Sequence, residues 1–504
     1  MKHILNYIFL FIISLFTYAY IWHSNTTPYP FVLNWDIFEH ITLANKIAQG
    51  HLSIFTSQIS DTFTIDSYSP LFHILLSVPK ALFSIDLLGI YYTLEYFYFY
   101  FTVIATYLLA KKIFTSNWIA FISGIFSIFI FENFMAYTSF FLIPQNLTAL
   151  LTIFSLIYVS NKNFNKILLG ALLLTIFLIH YVVGILGVLI ILGYLLARKL
   201  SSRVLNWSIL ASTVVLFLLA GSNYLGNFVL TSREEASHFL FPLASKLGFL
   251  LDWYSLSFLF LPISYYFIFK HDNKNQKIIL SLALLILGIS IAPFSYFLKF
   301  FVFDHYLLNI ILASGIGFMI FHFSKFMKIL SVIWVGLFLS VVFYKSQYQY
   351  KEPLYFNGQA SQISHGEISA SKWLAENEPA NSFIISDPGT QYIFEAISGL
   401  NSQGGAYMST DTRKILIEKD IAKIKTIKDK LDFENKSRGK TIFIFSGRYF
   451  AWQKLPEEQK LSFYYNIWKP QKLSVEELSY IDLLTRDSNY KLIYQNNELA
   501  IFEI

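Results

Sequence analysis

An aspartate and a histidine lie one helical turn apart in the stretch NWDIFEHITLANKIAQG (34–50). When this stretch is placed on a helix, Asp36 and His40 fall on its apolar side, and Glu39 lies at the edge of that side. Carboxylate and imidazole groups are common proton acceptors in catalysis, so the pair is a candidate for acid-base chemistry. An alternative is that Asp36 caps the helix and Glu39 completes a capping box, which leaves His40 unexplained.

The composition of the whole chain indicates the environment of this helix. Of the 504 residues, 55% are hydrophobic and 14% are charged, which predicts a polytopic α-helical membrane protein rather than a soluble domain. The net charge of +6 comes from short basic clusters between apolar runs, so we expect no nucleic-acid partner. With no cysteine in the chain, disulfides, thiolate metal ligands and a cysteine nucleophile are excluded.

Apolar runs of about 20 residues predict about eleven membrane spans, the first of them uncleaved. Lysine and arginine are concentrated on the side of the N-terminus, so the positive-inside rule predicts a multi-pass plasma-membrane protein with a cytoplasmic N-terminus. The predicted spans are 4–22, 87–110, 117–136, 146–160, 166–180, 182–197, 204–221, 248–269, 278–294, 306–323 and 328–345.

One further apolar run, 70–83, is too short for a comfortable span and contains Pro79 and Lys80. If it crossed the membrane, every later basic cluster would lie outside. The run is therefore predicted to be an interfacial or re-entrant helix within a long first outer loop, 23–86.

The C-terminal part of the chain has a different composition. The predicted transmembrane domain covers residues 1–345, and no span follows it. Residues 346–504 alternate between helical and strand patterns, with buried strands at 382–387 and 441–446. They predict a soluble, extracytoplasmic α/β domain.

Polar and ionisable residues gather where the predicted spans meet the outer surface. Ionisable groups near membrane depth are costly and are therefore functional candidates, although each alone is more often a solvated loop residue. Their concentration on the same side as Asp36 predicts a site there. The candidate substrate-binding residues are Glu39, His40, His73, Glu132, Gln145, Asn146, His180, Arg233, Lys299 and His305.

Four short segments and the overall plan resemble the GT-C superfamily of membrane glycosyltransferases. The segments are WDIFEHITLANKIAQG after the first span, SYSPLFHIL in the first outer loop, FFLIPQNLTALL before the fourth span and LIHYVVGI before the sixth. The resemblance covers most of 1–345 as architecture. It implies a polyprenyl-phosphate sugar donor, a protein, lipid or glycan acceptor, and a site at the outer surface of the lipid bilayer.

Two departures narrow the resemblance. Oligosaccharyltransferases carry a W-W-D motif in the C-terminal domain, whereas the tryptophans here occur as KWLA, AWQK and IWKP, which speaks against transfer to asparagine. Those enzymes also bring an acidic pair to a metal, where this chain has Glu132, Gln145 and Asn146. A divalent cation is left open, and metal-independent relatives such as protein O-mannosyltransferases and aminoarabinose transferases stay compatible.

The chemistry that the resemblance implies assigns roles to the candidates. Displacement of a polyprenyl phosphate by an acceptor hydroxyl requires a carboxylate that takes the proton and cations that hold the phosphate. We assign Asp36 as the general base of an inverting transfer. With one carboxylate and no covalent intermediate, the acceptor attacks the anomeric carbon from the face opposite the phosphate.

The other groups supply charge or orientation. For Arg233, the alternative to a phosphate ligand is a loop residue that forms an ion pair with Glu234 or Glu235. The candidate phosphate ligands are Arg233, Lys299 and His305. The candidates that orient the acceptor or the base are His40, His73 and His180.

Two other classes of function are compatible with many spans. A transporter or flippase is the main alternative, but the middles of the spans are almost free of charge, with Glu95 the clearest exception, and no half is duplicated. A non-catalytic scaffold that presents the outside domain to a partner is the third class. It would make the conjunction of Asp36, His40 and His73 accidental.

Overall fold

The computed structural model describes most of the chain, with gaps. The described ranges are 2–22, 33–34, 36–50, 70–129, 141–161, 163–226, 254–291, 299–322, 360–361, 363–402, 439–461 and 469–504, with isolated positions within 329–340 and at 413 and 467. The sequence pattern also predicts a long helix over about 410–434, which lies almost wholly outside these ranges.

Helices account for the described part of the N-terminal two thirds. They are α1 (Lys2–Trp22), α2 (Asp36–Ala48), α3 (Pro70–Phe83), α4 (Leu87–Phe114), α5 (Asn117–Phe129), α6 (Pro144–Val159), α7 (Lys166–Ile179), α8 (Tyr181–Ala197), α9 (Ser202–Gly226), a 3-10 turn (Ser255–Phe260), α10 (Leu261–His271), α11 (Lys274–Ile291) and α12 (Phe301–His322).

The helical membrane fold is confirmed, while the number of spans stays a prediction. Every predicted span before 328–345 overlaps a helix, and 328–345 lies largely outside the described residues. Among the residues that the structure describes, Leu87–Phe114, Lys274–Ile291 and Phe301–Phe321 are long and apolar enough to cross a membrane. Further apolar helices, including α6, α7 and α8, have 10–17 residues.

By its contacts the chain divides into two compact units. One unit contains residues 1–21 and 94–352, and the other contains residues 22–93 and 353–504. The predicted division, in contrast, counts the first outer loop, 23–86, with the transmembrane domain. The difference has a physical basis, because α2 packs with the C-terminal helix Pro388–Ser398 within the second unit and α3 packs with α2.

The first unit is built around α12. This helix is buried from Phe301 to Met319 and contacts α5, α6, α10 and α11. Gly315 allows a close approach, since a Cβ at this position would collide with the carbonyl oxygen of Phe260 in the 3-10 turn. The packing therefore uses small residues, as is common between membrane helices.

The C-terminal part of the second unit is a mixed sheet with helices, which confirms the α/β character. Its strands are β3 (Phe383–Ile385), β4 (Asn401–Ser402), β5 (Thr441–Ser446), β6 (Lys491–Gln495) and β7 (Leu499–Glu503), and its helices are α13 (His365–Asn377), α14 (Pro388–Ser398), α15 (Gly447–Gln453), α16 (Glu457–Leu461) and α17 (Val475–Leu484).

The sheet has the order β4-β3-β5-β7-β6. Strand β3 is parallel to β4 and β5, whereas β7 is antiparallel to β5 and β6. Helix α14 connects β3 to the parallel β4, as parallel pairing requires a crossover. A core of aromatic and aliphatic residues, including Phe443, Phe445, Trp452 and Phe502, packs on the sheet.

The first outer loop joins this domain through a short strand pair. Strand β1 (Leu33–Asn34) is antiparallel to β2 (Ala360–Ser361), with Leu33 opposite Ser361 and Asn34 opposite Ala360. Helix α2, which follows β1, packs against α3 and α14. The helix that carries Asp36 is thus held by elements distant in sequence.

Candidate functional site

Helix α2 is enclosed by protein to a degree that its sequence does not predict. Every residue from Ile37 to Ala44 is buried, and such a run covers all faces of a helix. Thr42, which the periodicity places on a polar face, is only 4% exposed. The partly exposed positions lie at the two ends, with Asp36 at the start and residues 45–48 at the end.

Asp36 is the first residue of α2 and is half-buried. A carboxylate in the first turn interacts favourably with the exposed backbone N–H groups at a helix N-terminus. This position leaves Asp36 at the edge of the buried section of α2. Its neighbours along the helix, Glu39 and His40, are 4% and 2% exposed.

His40 and His73 form a buried pair between α2 and α3. Nδ1 of His40 lies 3.0 Å from Nε2 of His73, and each side chain is 2% exposed. One nitrogen must donate and the other accept, so at these two atoms the pair carries a single proton. The structure therefore brings together two residues that the sequence places in separate segments.

Glu39 is a buried carboxyl beside other charges. Burial first, and then the charge of Glu395 on α14, raise the pKa of Glu39 to about 8. Its Oε1 atom has no hydrogen-bond partner among the residues that the structure describes. Glu39 is therefore protonated at neutral pH, since the pKa lies above the ambient value.

An ion pair joins the end of α2 to α14. Nζ of Lys46 lies 2.8 Å from Oε1 of Glu395, and the side chains are 20% and 10% exposed. The hydroxyl of Ser402 donates a hydrogen bond of 2.6 Å to the other carboxylate oxygen, Oε2. Burial would lower the pKa of Lys46, but the charge of Glu395 and its hydrogen bond raise it. The sequence prediction includes neither Lys46 nor Glu395 among the site residues.

Five other candidates among the described residues belong to the first unit. Gln145 and Asn146 lie in the first turn of α6, directly after Pro144, and both are buried. Nδ2 of Asn146 donates a hydrogen bond of 2.9 Å to the carbonyl oxygen of Phe141. Asn146 therefore fixes the approach of the chain to α6.

His180 separates α7 from α8. Its Nδ1 accepts a hydrogen bond of 3.2 Å from the backbone N–H of Val183, so it caps α8. Lys299 is half-buried just before α12 and is close enough to interact electrostatically with His180. The two residues, far apart in sequence, therefore belong to one electrostatic environment.

His305 and its neighbour Asp304 are buried within α12. Nε2 of His305 lies 3.0 Å from the hydroxyl of Ser127 on α5. Asp304 accepts a hydrogen bond of 2.7 Å from Ser290 on α11. These partners give His305 a role in helix packing, and its predicted role as a phosphate ligand stays a prediction.

Glu95, the charged exception within the predicted spans, is fully buried on α4. The hydroxyl of Tyr18 on α1 donates to its Oε2 atom at 3.4 Å. The two remaining candidates, Glu132 and Arg233, lie outside the described residues.

Comparisons with known proteins show which solved structures share this fold. No protein-family model and no curated protein sequence matches the chain. Solved structures do match, and their likeness confirms the fold that the resemblance of the four segments implies.

Three of these structures define the likeness. AglB, the archaeal oligosaccharyltransferase of Archaeoglobus fulgidus, in complex with an inhibitory peptide and a dolichol-phosphate, is 11% identical over 87% of this chain and 69% of its own, with a TM-score of 0.53. An oligosaccharyltransferase of that organism in complex with Zn and sulfate is 13% identical over 88% and 69%, with a TM-score of 0.56. ArnT from Cupriavidus metallidurans bound to undecaprenyl phosphate is 10% identical over 100% and 98%, with a TM-score of 0.52.

Proposed function

We propose that the chain is an inverting glycosyltransferase that moves a sugar from a polyprenyl-phosphate-linked donor to an acceptor hydroxyl outside the cytoplasm. The observation that carries the proposal is Asp36, a half-buried carboxylate at the start of a helix whose next eight residues, Ile37 to Ala44, are buried. The fold supports it, because matching structures hold dolichol-phosphate and undecaprenyl phosphate. The acceptor belongs to a protein, a lipid or a glycan.

In the proposed reaction, Asp36 acts as general base. The acceptor oxygen forms a bond to the anomeric carbon while the bond from that carbon to the phosphate oxygen breaks. Asp36 takes the hydroxyl proton and polyprenyl phosphate leaves with the bonding electron pair. Attack from the face opposite the phosphate inverts the anomeric carbon.

Cationic side chains are proposed to hold the leaving phosphate. Lys299 is half-buried, so it is accessible in part, and an ammonium group stabilises the charge that develops on the phosphate. Arg233 is proposed for the same role. His40 and His73 are proposed to orient Asp36 or the acceptor, since His40 lies one turn beyond Asp36 on α2.

A divalent cation receives no step in this mechanism. One matching structure holds Zn, but within the described ranges no group of three or more His, Asp or Glu side chains could hold a metal ion. Glu132, which the sequence places nearest to the family's metal pair, lies outside those ranges. The described residues therefore do not fit a metal centre.

The proposal is tested by release of polyprenyl phosphate in proteoliposomes supplied with a panel of labelled undecaprenyl-phosphate sugars and a membrane extract as acceptor source. We expect the natural chain to turn over one of these donors and Asp36→Asn to lose about 100-fold or more, the range for removal of a general base. Asp482→Asn, at an exposed position of α17, is the matched control and should retain full activity.

Two results would contradict the proposal. Turnover by Asp36→Asn at the natural rate removes Asp36 as the base. If the natural chain releases polyprenyl phosphate from none of the donors, the glycosyltransferase assignment is removed.

A further inference from the structure

The end of α2 and the end of α14 are joined by contacts that cross most of the chain. The Lys46–Glu395 ion pair links residues 349 positions apart. A hydrogen bond also joins the two helices, since Nδ2 of Asn45 donates to the carbonyl oxygen of Ala396 at 3.0 Å. A Cβ at Gly399 would lie 3.5 Å from Nε2 of Gln49, so the two helix ends are in close contact.

Glu395 is itself fixed in position. The hydroxyl of Ser402 donates to its Oε2 atom, while Oε1 faces Lys46. Ser402 can reach back because α14 ends at Gly399, whose φ of 75° is readily adopted only by glycine and turns the chain into β4. Ser402 therefore orients one oxygen of the carboxylate, and the other oxygen meets Lys46 of α2.

The ion pair lies on the side of α2 next to the one that carries the proposed base. Residues 39 and 46 are seven positions apart, so their side chains share one helix face, and Asp36 lies about 80° from Lys46 around the helix axis. The charge of Glu395 acts on Glu39 across this face, and Tyr392, one turn earlier on α14, interacts with the Glu39 carboxyl. Helix α14 thus holds α2 by the face next to the one that carries Asp36.

We propose that α14 of the C-terminal domain positions the catalytic helix, and that Lys46 and Glu395 are the positioning residues. This inference rests on the proposed function, with Asp36 as the group that is positioned. Asp36 lies ten residues from Lys46, about 15 Å along the helix axis. A tilt of about 4° at the ion pair would displace Asp36 by about 1 Å, and displacements of that size cost up to about 100-fold in rate.

The pair is suited to this role because it is largely buried. Charges that are removed from solvent are weakly screened, so their attraction holds the two side chains at a fixed separation. Removal of one partner leaves the other charge buried and unpaired, which shifts the helix that carries it. Lys46 and Glu395 are therefore distinguished from exposed pairs such as Lys491–Glu503, which carry little energy.

The test compares Glu395→Gln, Lys46→Gln and the reversed pair Lys46→Glu/Glu395→Lys with the natural full-length chain. We expect each single variant to lose about 10-fold or more in kcat while the donor KM changes by less than about 2-fold, because alignment rather than donor binding is lost. The reversed pair should recover most of the rate. If it fails to accumulate, Glu395→Asp, which keeps the charge, takes its place.

A second measurement does not depend on catalysis. The chain has no cysteine, and Ala44 on α2 is fully buried, so Ala44→Cys provides a unique thiol whose maleimide labelling reports separation of α2 from its neighbours. We expect slow labelling in the natural background and faster labelling with Glu395→Gln. The exposed variant Lys491→Gln is the control and should leave both rate and labelling unchanged.

The outcomes separate the two proposals. If no donor is turned over by the natural chain but Glu395→Gln exposes Ala44→Cys, the glycosyltransferase assignment fails and the contact of α14 with α2 stands. If donors are turned over and Glu395→Gln leaves kcat unchanged, the positioning role is overturned. It is also overturned if neither the reversed pair nor Glu395→Asp recovers activity while Ala44→Cys stays protected.

Discussion

At the scale of single residues, several ionisable groups are buried in the protein interior, and they differ in whether a group of opposite charge pairs with them. Arg448 and Glu367 are fully paired: Nε lies 2.5 Å from Oε1 and Nη2 lies 2.9 Å from Oε2. Among the described residues, Glu39 has no ion pair of this kind, since Lys46 is bonded to Glu395. The two carboxyls therefore respond to different perturbations, one to loss of its partner and the other to pH.

We predict that Glu39 makes stability fall as pH rises. The folded-state pKa is about 8, above the ordinary value of 4.5, so the folded chain holds a proton that the unfolded chain has released. The stabilisation is complete below about pH 4.5 and is lost as the pH rises through about 8, at up to about 1.4 kcal/mol per pH unit. Lys46, Glu395, Tyr392 and Asp36 are the groups that face it.

The measurement is thermal unfolding of the purified chain near pH 5 and pH 8.5. Glu39→Gln, which imitates the protonated form, should match the natural chain at the lower pH and exceed it at the higher pH. Glu476→Gln, at an exposed position, should follow the natural chain at both. A parallel pH profile for Glu39→Gln would show that Glu39 is ionised in the folded chain.

We predict that Arg448→Met destabilises the C-terminal domain by about 3–5 kcal/mol, because it leaves the buried Glu367 carboxylate without a cation. Glu367 also completes the capping box of α13 with Ser364, so its displacement loosens that helix. Denaturant unfolding of the full chain measures the loss. Arg448→Lys, which keeps the charge but not the two-pronged geometry, should lose less; an equal loss would assign the effect to packing alone.

At the scale of elements, α3 has two different faces. Phe72, His73, Leu76 and Ser77 are buried, whereas Leu82 and Phe83 are each 69% exposed. The other exposed apolar residues are Ile74, Leu75 and Val78. Three residues separate α3 from α4, which is long and apolar enough to cross a membrane. An apolar face at such a place is typical of a helix that lies in the membrane interface.

We therefore predict that the exposed face of α3 contacts lipid. Leu82→Cys, labelled with an environment-sensitive dye, should show a blue-shifted emission that spin-labelled lipids quench. Ser488→Cys, exposed in the C-terminal domain, should show neither effect. A dye at position 82 that behaves like the dye at position 488 would place α3 in water.

The elements also show how far the sequence can lead. The run TIFIFS predicts a strand at 441–446 and forms β5 over Thr441–Ser446, because an unbroken apolar run between polar turns suits a buried strand. The periodicity of 34–50 predicts α2. It does not predict that Thr42 is buried. The periodicity of α2 distinguishes its apolar face from its polar face, but it carries no information about another helix that packs on the polar face.

At the scale of the whole molecule, the same limit applies to the site. The four segments that resemble the superfamily predict the fold, and the structural comparisons confirm it. The contacts of Lys46 with Glu395 and of His40 with His73 could not be predicted, since they join positions 349 and 33 residues apart without a local signal. The cytoplasmic N-terminus and the extracytoplasmic C-terminus stay predictions.

The two rival classes of function now differ in support. A transporter is compatible with buried polar residues such as Glu95 and Asp304, but each of these has a hydrogen-bond partner on a neighbouring helix. The matched structures support the fold, and the enzyme stays the proposed function. The scaffold class is opposed by the convergence of Asp36, Glu39, His40 and His73 on two packed helices.

The pairing of β1 with β2 has a consequence for biosynthesis. Leu33 and Asn34 emerge from the ribosome long before their partners Ala360 and Ser361, and α14 follows later still. Throughout synthesis of the intervening helices, α2 has neither its strand nor its ion pair, so a nascent chain interrupted in that interval exposes the apolar surface of α2 to quality-control proteases. A part of the chain that is translated late thus completes the surroundings of a part that is translated early.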